Sequence, residues 1–270
     1  MISRTGAAAA VVVLAVTATA CTGGSEDKAT IAIGIKFDQP GLALKTPDGK
    51  YTGFDVDVAT YVAKELGYKP DQIKFTEVTS SDREVMIQYG YVDFVVASYS
   101  INDKRKAKVD FAGPYFLAHQ DLLIRTGDKS ITKAEDVNEK TLCSVTGSTS
   151  AQNVKDKLAP KANLMELDGY SECLDALEDT RLDALTTDNS ILAGYAAQEE
   201  HRGKFQLAGL SLSDEHYGIG LEKGDKELQT DINTALKKMV ADGSWKKFVQ
   251  ANFGAAHYRN EPAPEITEGS

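Results

Sequence analysis

Three closely spaced residues, Ser98, Ser100 and Arg105, have the types that recognise an anion. Two hydroxyl donors beside a rigid guanidinium fork form a constellation suited to a carboxylate. The alternative is a strand followed by a solvated basic helix, because Lys104, Lys106 and Lys108 crowd the same stretch. Further along, Thr186-Thr187-Asp188 ends an apolar run with hydroxyls and a carboxylate. A donor cluster facing such an acceptor fits a zwitterion, an α-carboxylate beside an α-ammonium.

The elements around these residues must bring them together. Phe94 to Ala97 reads as a buried strand, and Asn102 can cap a short helix that carries Arg105 one turn in. Upstream, Thr30 to Lys36 alternates like a strand. Phe54, Val58, Val62 and Leu66 recur at helical spacing, and Ile73 to Val78 reads as the next strand. Thr79-Ser80-Ser81-Asp82 then offers caps for a helix with Arg83 in its first turn. A second series begins with the strand Thr141 to Val145, the turn Thr146-Gly147-Ser148-Thr149-Ser150 and a helix from Ala151 to Leu158. A helix from Glu172 to Glu178 and a strand from Leu182 to Leu185 follow. Shifted by ninety positions, Val92-Asp93-strand-Ala97-Ser98 overlays Leu182-Asp183-strand-Thr187-Asp188. Strands alternating with helices in two similar halves predict an α/β chain of two lobes, each presenting strand ends to one cleft. Ala118 to Arg125 and Asp214 to Leu221 read as extended crossings between the lobes. Helices are expected from Lys226 to Val240 and from Trp245 to Phe253, and residues 255–270, without periodicity, as a disordered tail.

The chain has 270 residues and a net charge of −10, with no basic block, which argues against nucleic acid as a partner. Residues 1–20 read as a targeting segment: Arg4, an apolar stretch from Ala7 to Val16, then Ala18-Thr19-Ala20 before Cys21. That ending resembles a bacterial lipoprotein signal, in which Cys21 carries the lipid and residues 21–28 form a tether. An ordinary secretory peptide cleaved after Ala20 would instead leave Cys21 a free thiol. If Cys21 is lipidated, Cys143 and Cys173 have only each other, and export favours their disulfide. No histidine lies near either one to suggest a catalytic cysteine, and no metal-ligand spacing is present.

Several motifs recur in order: Gly53-Phe54-Asp55, Ser98-x-Ser100-Ile101-x-x-x-Arg105, Val109-Asp110-Phe111-x-x-Pro114-Tyr115, Gly147-Ser148-Thr149 and Tyr217-Gly218-Ile219. With these, the chain from Thr30 to Phe253 resembles the bacterial solute-binding proteins of family 3, the receptors of polar amino acid ABC importers. Lys36-Phe37-Asp38-Gln39-Pro40-Gly41, Leu142-Cys143-Ser144-Val145 and Thr186-Thr187-Asp188 resemble more narrowly the glutamate-binding lipoproteins of actinobacterial importers.

The resemblance implies a periplasmic-binding-protein-like fold of type II, with a two-strand hinge and a cleft between lobes of residues 29–117 with 215–254 and 118–214. It implies that Arg105 clamps the α-carboxylate with Ser98, Ser100, Ser148 and Thr149, that Asp188 holds the α-ammonium, and that Phe37 packs on the ligand. Arg83 resembles a position that binds the distal carboxylate of acidic amino acids, and Lys36 could add a second positive charge. Gln39, Tyr170 and Thr187 are further candidate partners, whereas His119 and His216 fall in the hinge strands as structural residues. The expected activity is binding without catalysis or cofactor: a monomer anchored outside the cytoplasmic membrane takes L-glutamate to an ABC permease. Aspartate, glutamine and asparagine are the other ligands weighed. A sensor of the same fold, or a dehydratase acting on cyclic acids, are the competing readings. The second needs a general acid or base facing the cleft.

Overall fold

The computed structural model describes Met1, residues 29–256 and residues 258–269. The expected signal segment, Cys21 and the tether lie outside the described residues. Among the described residues, no helix is long and apolar enough to cross a membrane.

The first series comprises β1 (Ile31–Ile35), the small ribbon β2 (Asp38–Gln39), β3 (Ala43–Lys45) and β4 (Tyr51–Thr52), then α1 (Phe54–Glu65), β5 (Ile73–Glu77), α2 (Arg83–Gln88), β6 (Phe94–Val96) and α3 (Asp103–Lys106). A long strand, β7 (Asp110–Arg125), leads into β8 (Thr141–Val145), α4 (Thr149–Asn153), β9 (Asn163–Leu167), α5 (Tyr170–Glu178), β10 (Ala184–Asp188), α6 (Asn189–Ala197) and β11 (Phe205–Leu207). The chain returns through β12 (Ser213–Leu221) and closes with α7 (Lys226–Ala241) and α8 (Ser244–Phe253).

The sheet runs β5-β1-β6-β12-β7-β10-β8-β9, with β11 also paired to β7. Three parallel strands therefore stand on each side of the antiparallel pair β12–β7. In each trio the first strand of the series lies in the middle, β1 in one and β8 in the other. The repeat extends to atoms. Asp93 accepts the Ala32 N–H at 2.7 Å, and Asp183, its counterpart, accepts the Thr141 N–H at 2.8 Å. Each aspartate staples the start of a site-bearing strand to its parallel neighbour, satisfying a backbone donor that the ladder leaves over.

The strands facing the cleft are buried along their whole length, as apolar runs between covering helices should be: Phe94–Val96 and Ala184–Asp188. β10 is longer than the expected strand, so Thr186, Thr187 and Asp188 belong to the ladder itself, paired with Leu122, Asp121 and Gln120. The helix expected over 151–158 is α4 followed by a wider π turn over Val154–Leu158. Beneath β7 and α8, Phe54, Phe116, Trp245 and Phe253 form an aromatic core with centroids 5.1–6.4 Å apart.

Cys143 on β8 and Cys173 on α5 are joined by a disulfide, as exported chains favour. The expectation of a disordered tail does not agree with the end of the chain. Tyr258 packs between Phe116 and Phe253, and its hydroxyl reaches Asn189 Oδ1 at 2.9 Å. Thr267 and Glu268 donate their N–H groups to the Gly113 carbonyl, and Glu268 pairs with Lys106. Aperiodic, Pro-containing sequence hides such a strap because its bonds are to other elements, not to itself.

Candidate functional site

Both lobes close on a narrow cavity lined by Ser80, Arg83, Ser98, Ser100, Arg105, Ser148, Thr149, Ser150, Tyr170, Asp188 and Ile191. Local structure explains each placement. Asn102 caps α3 by accepting the Arg105 N–H at 2.9 Å, which fixes the helix that carries the guanidinium. Ser148 caps α4 the same way, accepting from Ala151 N at 3.1 Å, so the Thr149 turn faces the cavity. Ser98 holds a left-handed φ of 43°, costly for a residue with a Cβ. Its N–H donates to the buried Asp55 carboxylate at 2.7 Å, which sustains the conformation. Burial raises the Asp55 pKa to about 6, against the Tyr115 hydroxyl and the Ser98 N–H that favour its charged form.

The cations converge. Arg105 donates to the Ser100 carbonyl at 2.7 Å and, across the cleft, to the Gly147 carbonyl at 2.9 Å. Its Nε lies 3.6 Å from Glu84. Arg83 donates to the Ala97 carbonyl at 2.9 Å, and both guanidiniums lie over the Tyr99 ring, that of Arg83 at 4.2 Å and that of Arg105 at 4.9 Å. Burial and the neighbouring Arg83 lower the Arg105 pKa to about 10. Opposite them, Asp188 accepts the Tyr217 hydroxyl at 2.6 Å, and burial together with Glu215 raises its pKa to about 7. A strongly desolvated carboxylate next to another is poised for a cationic partner.

Four expected contacts stand off the cavity wall. Lys36 is buried behind Ser80, donating to its Oγ at 3.0 Å, and Gln39 is buried behind Ser98, accepting from its Oγ at 2.9 Å. Thr187 donates to the Tyr170 hydroxyl, because alternation along β10 turns it away from the side Asp188 faces. Phe37 is half-buried outside the lining. His119 and His216 do not line it either. Ser80, Ser150 and Ile191 were not anticipated. Nor was Glu215, which is buried on β12 and accepts the Thr149 hydroxyl at 3.0 Å. Its neighbours Ser213, Asp214 and His216 read as any exposed polar run, so only pairing to β7 reveals it.

The cleft is shut. Gly147, at a positive φ of 79°, lies so close to the opposite turn that a Cβ there would come within 2.9 Å of Ser81 backbone. Asp38 accepts the Tyr170 N–H at 3.2 Å and, through its carbonyl, the Tyr195 hydroxyl.

Two α/β lobes joined by β7 and β12, shut over a cavity that sets guanidiniums against a carboxylate, define a hinged receptor for a small zwitterion. The chain belongs to the bacterial extracellular solute-binding proteins, family 3, whose profile matches residues 31–255. It is 44% identical to the glutamate-binding protein GluB of Corynebacterium efficiens, covering 94% of this chain and 92% of that protein. It is 40% identical to the glutamine-binding protein GlnH of Bacillus subtilis, covering 82% and 80% respectively. An ancestral arginine-binding protein bound to arginine superposes with a TM-score of 0.78 at 35% identity, covering 84% of this chain and all of that one. The chain is a binding protein, not an enzyme, and its family acts outside the cytoplasm.

Proposed function

We propose that this chain is the substrate-binding component of an ABC importer, closing around L-glutamate and delivering it to the permease. One observation carries the choice of ligand: Arg83 and Lys36 are buried cations at one end of the site. Among the described residues, neither has a carboxylate within ion-pair distance; their partners are carbonyls and the Ser80 hydroxyl. Buried charge left in that state calls for an anionic partner from outside. Arg105, Ser98, Ser100, Ser148 and Thr149 take the α-carboxylate, and Asp188, supported by Tyr217, takes the α-ammonium. Arg83 takes the distal carboxylate, and Tyr170 shapes the wall. Glutamine and asparagine present an uncharged amide that leaves the buried positive charge unmatched, and aspartate is a methylene shorter.

The similarity to glutamate-binding and glutamine-binding relatives supports an amino acid with this side-chain length. Ligand contacts both lobes only when the cleft is shut, so binding shifts the population towards the closed form. Residues 29–117 with 215–254 make one lobe and 118–214 the other. Lipidated Cys21 holds the monomer at the outer face of the cytoplasmic membrane by the tether 21–28.

Calorimetric titration of Arg83→Ala against glutamate, aspartate, glutamine and asparagine tests the assignment. Loss of a buried ion pair costs about 2–5 kcal/mol, so glutamate should weaken roughly thirtyfold or more beyond glutamine. Equal losses for both would remove Arg83 from side-chain recognition.

A further inference from the structure

We propose that Lys36 and Ser80 form a relay that fixes Ser80 as a hydrogen-bond donor to the ligand side chain, so that selectivity for glutamate over glutamine depends on the proton carried by Lys36. The inference rests on the glutamate reading and adds to it a selecting group and its control. Ser80 lines the cavity beside Arg83, while Lys36 does not reach the cavity and contacts Ser80 Oγ from behind at 3.0 Å. An ammonium has donors only. It therefore occupies a lone pair of the Ser80 oxygen and leaves the hydroxyl hydrogen free to point into the cavity. The distal end then offers two donors, the Arg83 guanidinium and the Ser80 hydroxyl. A carboxylate supplies an acceptor to each, whereas an amide supplies one acceptor and sets its NH2 against the other donor.

A neutral Lys36 reverses this. Its amine can accept the Ser80 hydrogen, and the Ser80 oxygen then turns its lone pairs to the ligand, which suits an amide NH2. The surroundings put that change within reach. Burial comes first, then Arg83 and, more weakly, Arg105, which push the Lys36 pKa down; Asp38 and Asp82 oppose them, and it settles at about 7. The depressed value means the proton is held below about pH 7 and lost above it in the ligand-free protein. A bound γ-carboxylate favours the charged form, so glutamate binding above that pH draws in a proton.

The test is calorimetric titration of the intact protein with L-glutamate and L-glutamine from about pH 6 to about pH 9, in wild type, Lys36→Met and Ser80→Ala. The readout is the ratio of the two affinities. Titration of Asp188 cancels in it, because the α-groups are common to both ligands. The wild-type ratio should fall by roughly tenfold or more across the range, Lys36→Met should give a low, flat ratio, and Ser80→Ala a ratio below wild type at about pH 6. A wild-type ratio that favours glutamate and stays constant with pH overturns the relay while leaving the ligand assignment standing, and this arm needs no variant to fold. A pH-dependent ratio that persists in Lys36→Met, or a wild-type ratio in Ser80→Ala, also overturns it. Tighter binding of glutamine than glutamate at about pH 6 overturns both.

Discussion

Replacing Arg105 with alanine probes both halves of the binding scheme at once. A guanidinium has five N–H donors. The Ser100 and Gly147 carbonyls each take one, so enough remain for a two-pronged grip on a carboxylate. Removing one partner of a buried ion pair costs about 2–5 kcal/mol. The bond to Gly147 exists only in the shut cleft, so its loss weakens closure by about 1 kcal/mol more. Affinity should therefore fall by roughly 150-fold to 25,000-fold. The loss should be the same for glutamate and glutamine within about threefold, since both present the same α-carboxylate. Calorimetry with each amino acid measures it, and a melting curve confirms that the variant is folded. Folding should survive, because loss of the contact with Glu84 is offset by relief of repulsion from Arg83. Arg105→Lys keeps the charge without the fork and should fall between. A folded Arg105→Ala protein that binds within about tenfold of wild type would refute the clamp. A loss confined to glutamate would place Arg105 at the wrong end of the ligand.

Three other outcomes are expected. Asp188→Asn should weaken every amino acid roughly thirtyfold or more by leaving the ammonium without its carboxylate. The raised pKa also fixes a sign: Asp188 favours the ligand-free fold while protonated, an effect present below the ordinary carboxylate range and lost as pH rises through about 7. Asp188→Asn should accordingly melt higher than wild type at neutral pH, with the two curves converging near pH 4; a gap that widens in acid would contradict this. Replacing Cys143 and Cys173 together by serine opens a closed loop of 30 residues, which costs about 3–4 kcal/mol and lowers the melting temperature by roughly 6–16 °C. Unchanged melting would show that the covalent link contributes nothing to the fold.

The legibility of this chain depended on whether a feature was local. The Asn102 cap, the strand over Phe94–Val96 and the two-half repeat are properties of contiguous segments, and all were visible in the spacing of apolar and capping residues. The repeat even located Asp93 and Asp183, though not their shared bond to a neighbouring strand. Of the cavity wall, Arg105, Ser98, Ser100 and Asp188 are legible from strand ends and a helix cap, whereas Arg83 and the Ser148–Thr149 turn enter the site through the family resemblance. Depth was not legible. Lys36 and Gln39 end in the right region but stand one side chain behind the wall, and Ser80, one residue among four similar caps, stands in front. Periodicity tells which face a residue takes, not which of two nested residues reaches the ligand. Glu215 and the C-terminal strap escaped for a related reason: the contacts that set their roles, Thr149 with Glu215 and Asn189 with Tyr258, join residues 66 and 69 positions apart.

That strap bears on the mechanics of the joint. Two adjacent strands, β7 and β12, define an axis about which the lobes can swing, but a ribbon of two strands also twists readily. Tyr258 adds a further tie, its ring packed against Phe116 and Phe253 while its hydroxyl donates to Asn189 at the start of α6. Further on, the same segment is pinned to Gly113 and Asn233. A tie that joins Phe116 and Phe253 of one lobe to Asn189 of the other spans the joint, so opening must stretch or release it. The strap is thus a latch whose bond to Asn189 adds to the stability of the shut form.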